Sequence, residues 1–289
     1  MVADTGVDVD GADQVVTRPS LLVCRLCHHG VMCGRFAVTT DPATLAEKIE
    51  AINESRPAES AGPNYNVAPT TTITTVVSRH DEPPDPDDKA TRRVRSMRWG
   101  LVPPWAKAGA DGAPDTKGPL LINARAEKVT SSPAFRASAK AKRCLVPMDG
   151  YYEWRANPDL DSGKKARKAP FFMHRTDGGL LFMAGLWSVW RDPKNDKGTD
   201  PLSSCAIITT DAVGELAEIH DRMPLIVAER DWDRWLDPDA PADLDFLATP
   251  PSIAGIDMRQ ISTLVNSVRN NGPELLEPAE PQPEQATLL

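Results

Sequence analysis

From Arg35 onward the chain is cut by turn chemistry into short β-type segments, and this constrains its fold more than any other feature. The β-branched run Thr71–Val77 reads most clearly as a strand. Arg35-Phe36-Ala37-Val38 is a shorter one, and residues 93–99 alternate up to Trp99. Cys144-Leu145-Val146-Pro147 and Tyr151-Tyr152-Glu153-Trp154 are predicted to pair around Asp149-Gly150, a hairpin-type turn. Further strands are expected at 170–175, 181–187, 204–209 and 225–228, punctuated by turns such as Asp177-Gly178-Gly179.

Helices are fewer. Asp41-Pro42 supplies a cap and a first-turn proline ahead of Leu45, Ile49 and Ile52 at helical spacing. Others are expected after Ser131-Ser132-Pro133, near 212–218 and around Trp232 and Trp235, with a last element over Ile261–Asn270. The prediction is an α+β chain whose core is largely antiparallel, either barrel-like or two packed sheets, with peripheral helices. It is expected to form one domain over 32–278. Residues 1–31 would be a disordered extension or an over-long gene start, and 279–289 a disordered tail. The loop 106–119 (Gly109, Gly112, Pro114, Gly118) reads as a flexible insertion.

Composition narrows the function classes. No apolar run approaches the roughly 18 residues needed to span a membrane. The acidic N-terminus lacks an apolar stretch typical of a secretory signal, and five cysteines do not make a disulfide framework. A cytoplasmic protein is expected. The net charge is −8, yet residues 89–175 hold 19 Lys and Arg against 7 Asp and Glu. The acidic excess is concentrated in residues 1–31, the run Asp81–Asp88 and the stretch from Glu274. A basic half suits a phosphate-bearing partner, and equally a solvated basic face. Neither a Gly-x-Gly-x-x-Gly nor a Walker pattern occurs, so no cofactor is expected. Cys24-Arg25-Leu26-Cys27-His28-His29 has the form of a haem-attachment motif, but without export, or a second ligand pair for zinc, no metal is expected.

Several residues could carry chemistry. Met32-Cys33-Gly34-Arg35-Phe36 reads like the start of a protein, about thirty residues in. At an N-terminus, Cys33 would offer both a thiol and an α-amine that is partly neutral at pH 7. Both can add to one aldehyde, giving a Schiff base and then a five-membered thiazolidine. In mid-chain the same cysteine is more often a small buried hydrophobe. Glu153, among aromatics, either shuttles protons near neutrality or faces outward on an alternating strand. His220 sits in a polar turn, as a catalytic or a surface histidine. Asn123 and Arg125 would share one strand face, as an orienting amide beside a phosphate-holding guanidinium or simply as a polar edge. Trp99, Trp105 and Pro103-Pro104 offer either exposed faces for stacking bases or ordinary core.

Taken together the segments resemble a known family. Met32–Phe36, Tyr65-Asn66-Val67-Ala68-Pro69-Thr70, Trp99-Gly100-Leu101-Val102-Pro103, Ile122-Asn123-Ala124-Arg125-Ala126-Glu127, Gly150–Trp154 and Ile219-His220-Asp221-Arg222-Met223-Pro224 occur in the order seen in the SOS-response-associated peptidase (SRAP) family. Asn266-Ser267-Val268-Arg269-Asn270 resembles that family's last motif, and the likeness covers about residues 32–278. These proteins crosslink to abasic sites in DNA. The resemblance implies that Cys33 attacks the ring-opened sugar of an abasic site in single-stranded DNA. Asn123 would position amine and sugar, Glu153 would relay protons, and His220 would assist ring opening and reversal. Arg35, Arg125 and Arg222 would meet phosphates, Thr209 would line the pocket, and Trp105 and Pro69 would shape the strand path. Weak lyase activity and removal of residues ahead of Cys33 are also implied; nothing in the sequence requires a protein partner or more than a monomer, and a monomer is expected. A cysteine peptidase acting on proteins, and a non-catalytic single-strand binder, are the competing readings. The chain departs from the family pattern in the 106–119 loop and in its leader. An amide in place of the Cys33 amine would forbid the thiazolidine.

Overall fold

The structure, a computed structural model, describes residues 34–56, 62–81, 89–115, 118–156, 168–193 and 200–279. All of them belong to the compact unit that begins at Met32. Cys33, the Cys24–His29 motif, most of the acidic run and the tail from residue 280 lie outside the described residues.

In chain order the elements are β1 (Phe36–Val38), α1 (Pro42–Lys48), β2 (Ile52–Asn53), β3 (Asn64–Val67), β4 (Thr72–Arg79), β5 (Thr91–Trp99) and β6 (Asn123–Arg125). Then come α2 (Arg136–Ala141), β7 (Arg143–Met148), β8 (Gly150–Ala156), β9 (Lys168–Arg175), β10 (Leu181–Trp190) and β11 (Leu202–Asp211). The chain continues through β12 (Arg222–Pro224), α3 (Trp232–Leu236), α4 (Leu244–Ala248) and β13 (Ile256–Gln260), with short 3-10 turns between. The α+β expectation holds. One sheet has the order β13-β9-β8-β1-β3. The other runs β12-β11-β10-β7-β4-β5-β2, with β6 added beside β11. β5 also pairs in parallel with β11 (Ser204 with Arg98, Cys205 with Trp99), so β11, β10, β7, β4 and β5 close into a barrel.

Alternation assigns the faces. Val76, Val94, Leu145, Phe182 and Ile208 point outward to a cluster with Leu45, Phe135, Trp232 and Trp235 from the helical layer. Ile73, Met97, Trp99, Val146, Met183 and Ile207 point the other way and meet Phe36, Val67 and Tyr151 of the smaller sheet. Behind that sheet, Ala37, Tyr152 and Phe172 are covered by Ile261, Val265 and Leu275. Buried Arg143 ties the helical layer to the barrel. Its guanidinium donates to the carbonyls of Trp235 (2.7 Å), Ala139 (3.1 Å), Ala240 (2.7 Å) and Asp237.

Three expectations need correcting, and the alternative left open for Trp99 is decided. β7 and β8 do not pair around Asp149-Gly150: β7 lies between β10 and β4, whereas β8 joins β1 and β9 in the other sheet. Gly150 marks close packing, because a Cβ there would lie 2.3 Å from the Met173 carbonyl oxygen. The strand expected at 225–228 forms earlier, at β12, and Ile226 keeps only an isolated bridge to Met183. Ile52 is outside α1, which stops at Lys48, and pairs in β2 with Arg93. Trp99 exposes no face; it is fully buried and its Nε1–H donates to the Ile122 carbonyl at 3.1 Å. Among the described residues no helix is long and apolar enough to cross a membrane.

Candidate functional site

Of the sequence-predicted residues, Asn123, Thr209 and Glu153 lie where the two sheets face each other, whereas Arg35 is on the far face of the smaller sheet with Val265. β11 pairs with β5 over its first half and with β6 over its second (Ile207 with Asn123, Thr209 with Arg125). The chain leaves the ladder at Gly100, whose N–H donates to Cys205 O at 2.8 Å, makes the 101–122 excursion, and rejoins it at Asn123. Residues paired across a ladder share a face. Asn123 and Arg125 therefore stand on the side of Ile207 and Thr209, toward the smaller sheet. Asn123 is half-buried, Arg125 exposed and Thr209 fully buried.

The smaller sheet supplies the opposing wall. Phe36 pairs with Tyr151, and Tyr152 N–H donates to Arg35 O at 3.0 Å. Tyr151 packs into the cluster that holds Ile207, so Glu153, two residues on, is turned to the same side. Glu153 is buried, at 3% exposure, and does not face solvent. The described chain begins at Gly34, one pair beyond Arg35 and Tyr152. Continued by that one pair, the register would set Gly34 beside Glu153.

His220 follows the 3-10 turn Gly214–Glu218, whose Leu216 packs with Ile219 in the same cluster. The Arg222 backbone nitrogen lies 3.1 Å from its Nδ1, and an Asp221 carboxylate oxygen lies 2.8 Å from the same atom.

Two arginines expected at phosphates have inward partners. Arg35 is buried and donates to Asn66 Oδ1 (2.8 Å) and to the carbonyls of Val265 (2.8 Å) and Asn266 (3.5 Å). Asn66 in turn donates to the carbonyls of Val265, Ser267 and Asn270. This explains why Tyr65–Thr70 and Asn266–Asn270 belong together: one amide stitches the closing segment to β3. Arg222 donates to Asp211, to Glu127 Oε2 (3.0 Å) and to Thr209 O (2.8 Å). Burial alone would raise the Glu127 carboxyl, but its own backbone N–H and the Arg222 guanidinium hold it below the usual range.

Trp105 is exposed (68%) at the head of the insertion, whose residues 108 and 114 pair with each other. Trp190 Nε1–H fastens the insertion by donating to Ala106 O at 2.7 Å. Half-buried Pro69 sits in the β3–β4 turn, where Thr70 is held at φ 74°, an unusual conformation for a β-branched residue. The Thr70 N–H donates to Trp99 O at 2.8 Å, joining this turn to the end of β5. Cys144 and Cys205 are free and fully buried; burial raises both thiols, Cys205 to about 12. Among the described residues no group of three or more His, Cys, Asp or Glu is placed to hold a metal. A cavity of about 520 Å³, lined by Lys48, Arg175, Phe182, Arg230 and Trp232 among others, contains none of the expected site residues. It carries no cluster of nucleophile and base, so the seam between the sheets is the better candidate.

Sequence reasoning gave no role to Asn66, Glu127 or Asp211. Asn66 and Glu127 lie inside family-like segments, which was the available signal. Asp211 had none beyond its position two residues after Thr209.

A family model described as SOS response associated peptidase (SRAP) matches residues 32–268. The abasic site processing protein YoqW of Bacillus subtilis is 36% identical over 250 residues, which cover 85% of this chain and 99% of that protein. The abasic site processing protein HMCES of Gallus gallus is 30% identical over 281 residues, covering 86% and 78%. Among solved structures, a Bacteroides thetaiotaomicron protein superposes with a TM-score of 0.67 at 23% identity, covering 86% of this chain and all of that one. A phage-related protein from Bordetella bronchiseptica gives 0.54 at 28% identity, covering 79% and 94%.

Proposed function

Because this chain belongs to the SOS response associated peptidase (SRAP) family, we propose that it processes abasic sites in single-stranded DNA by covalent capture through Cys33. The α-amine of Cys33 condenses with the aldehyde of the ring-opened sugar and expels water as a Schiff base forms. The thiol then adds to the imine carbon and gives up its proton as the nitrogen becomes an amine, closing a thiazolidine. The lesion is thereby shielded during the response to DNA damage. Weak lyase cleavage is a side path from the Schiff base.

In this reading Asn123 orients the amine and the sugar. Glu153 carries protons through condensation, and His220 assists ring opening and reversal. Arg125 and Arg222 serve the flanking phosphates, with Arg125 and Trp105 the more exposed contacts, and Arg35 joins them by giving up its bonds to Asn66 and Val265. Thr209 and Pro69 line the path. The working domain covers 32–278, and the protein acts as a monomer in the cytoplasm. Residues ahead of Cys33 are absent or removed, since the chemistry needs a free amine. The observation that carries the reading is the meeting of three segments across one core. β1 runs beside β8, which carries Glu153, Asn123 is on the opposing wall, and His220 follows a turn packed into the same cluster.

Protein beginning at Cys33, incubated with single-stranded DNA containing one abasic site, is expected to give an adduct that survives denaturation. Absence of the adduct, or an equal yield from Cys33→Ala, would overturn the proposal. A cysteine peptidase would instead cleave peptides in trans, which mass spectrometry reads directly.

A further inference from the structure

The Arg222 guanidinium is enclosed by three acceptors that differ in access. Thr209 O belongs to the buried ladder, while the Glu127 side chain is 48% exposed and that of Asp211 88% exposed. Arg222 itself is only 10% exposed at its side chain. Glu127 sits on the turn directly after Asn123–Arg125, and Asp211 pairs with Arg222 across β11 and β12. The inner partners aim the guanidinium, whereas Asp211 covers its outer edge from solvent.

We infer that Asp211 is a built-in counter-anion for Arg222, displaced by a backbone phosphate when nucleic acid binds. This rests on the single-stranded DNA reading above. A carboxylate and a phosphate compete for the same N–H donors, because a guanidinium edge binds either with similar geometry. In the free protein Asp211 satisfies a buried cation that would otherwise lack its outer partner. In the complex its side chain swings into water, which its 88% exposure permits at little cost. Glu127 remains as the anchor, so Arg222 keeps its aim toward the strand that carries Asn123. The arrangement makes weak anions poor ligands, since each must first compete with a tethered carboxylate.

The test compares Asp211→Asn with Asp233→Asn in binding an abasic-free single-stranded oligonucleotide, by fluorescence anisotropy at low and at moderate salt. Asp233 is the control: it is similarly exposed (85%) and also pairs with an arginine, Arg92, but on the helical layer. Asp211→Asn is expected to tighten binding about fivefold, with Asp233→Asn changing it less than twofold. Equal effects from the two variants would mean that only net charge matters and would overturn the inference. So would unchanged or weaker binding by Asp211→Asn with its fold intact by circular dichroism. Failure of the unsubstituted protein to bind the oligonucleotide at all would instead sink the single-stranded DNA reading.

Discussion

The carbonyl oxygen of Arg35 accepts a hydrogen bond from the N–H of Tyr152 at 3.0 Å, and this one bond fixes where the chain enters the site. Continued by one further pair, that register would set Gly34 opposite Glu153. Inserting one glycine between Cys33 and Gly34 moves the preceding amine by about 3.3 Å. Adduct formation is expected to slow at least about tenfold, a misplacement cost paid without loss of stability. A gel time course beside a melting curve checks this; an unchanged rate would detach Cys33 from Glu153.

Glu153→Gln keeps the shape of a buried side chain and removes its ability to exchange protons. The rate of adduct formation should fall about 100-fold, the lower end of what a positioned acid–base group contributes. Oligonucleotide binding should be unchanged. Quenched-flow sampling of the covalent product separates the two.

The lowered carboxyl of Glu127 carries a pH signature. A group whose folded pKa lies below its unfolded value stabilises the fold above the unfolded value, near 4.3 for glutamate, and loses that contribution as pH falls through the folded one. Glu127→Gln should therefore be less stable than the parent at pH 7, by no more than about 1 kcal/mol given its exposure. The two should converge below about pH 4. Urea titrations at both pH values test it, and a gap that widens in acid would contradict the assignment.

Arg143→Met should destabilise the protein by about 3 kcal/mol or more. It strands the carbonyls of Ala139, Trp235, Asp237 and Ala240 in a buried setting. Arg143→Lys should recover little, because one ammonium cannot reproduce the planar fork. Denaturant midpoints of the three proteins decide it.

Burial raises the thiols of Cys144 and Cys205. In protein beginning at Cys33, only one thiol should react quickly with a maleimide, and Cys144→Ser should leave adduct yield intact. Fast labelling of two or three thiols would show that the barrel interior opens.

Strands with a strong β-branched run, such as Thr72–Arg79, were legible in the sequence because local propensity and burial agree there. The cap at Asp41 was legible too, since its side chain accepts from Ala43 and Thr44 as a cap should. Partner choice was not. Asp149-Gly150 has the chemistry of a turn, yet Gly150 is small because β9 passes against it, a fact held by residues more than twenty positions away. Trp99 resembled Trp105 until the Ile122 carbonyl supplied an acceptor that let one indole go inside. Glu153 and Asn123 stood out because they lie in family-like segments, but that they face each other from two sheets was given only by the fold. The carboxylates around Arg222 stayed hidden, because acidic residues at 127 and 211 look solvent-bound until the fold joins them.

The parallel contact of Trp99 with Cys205 that closes the barrel also orders events in time. Contacts between segments so distant in sequence form late and slowly, since loop closure must precede any gain from pairing. Gly34 leaves the ribosome early, whereas its opposing wall needs β11, and His220 emerges later still. A nascent chain thus presents β1 for most of synthesis before the wall that faces it exists. The seam between the sheets is thereby a property of the finished molecule, assembled only once β11 has joined β5 and β6.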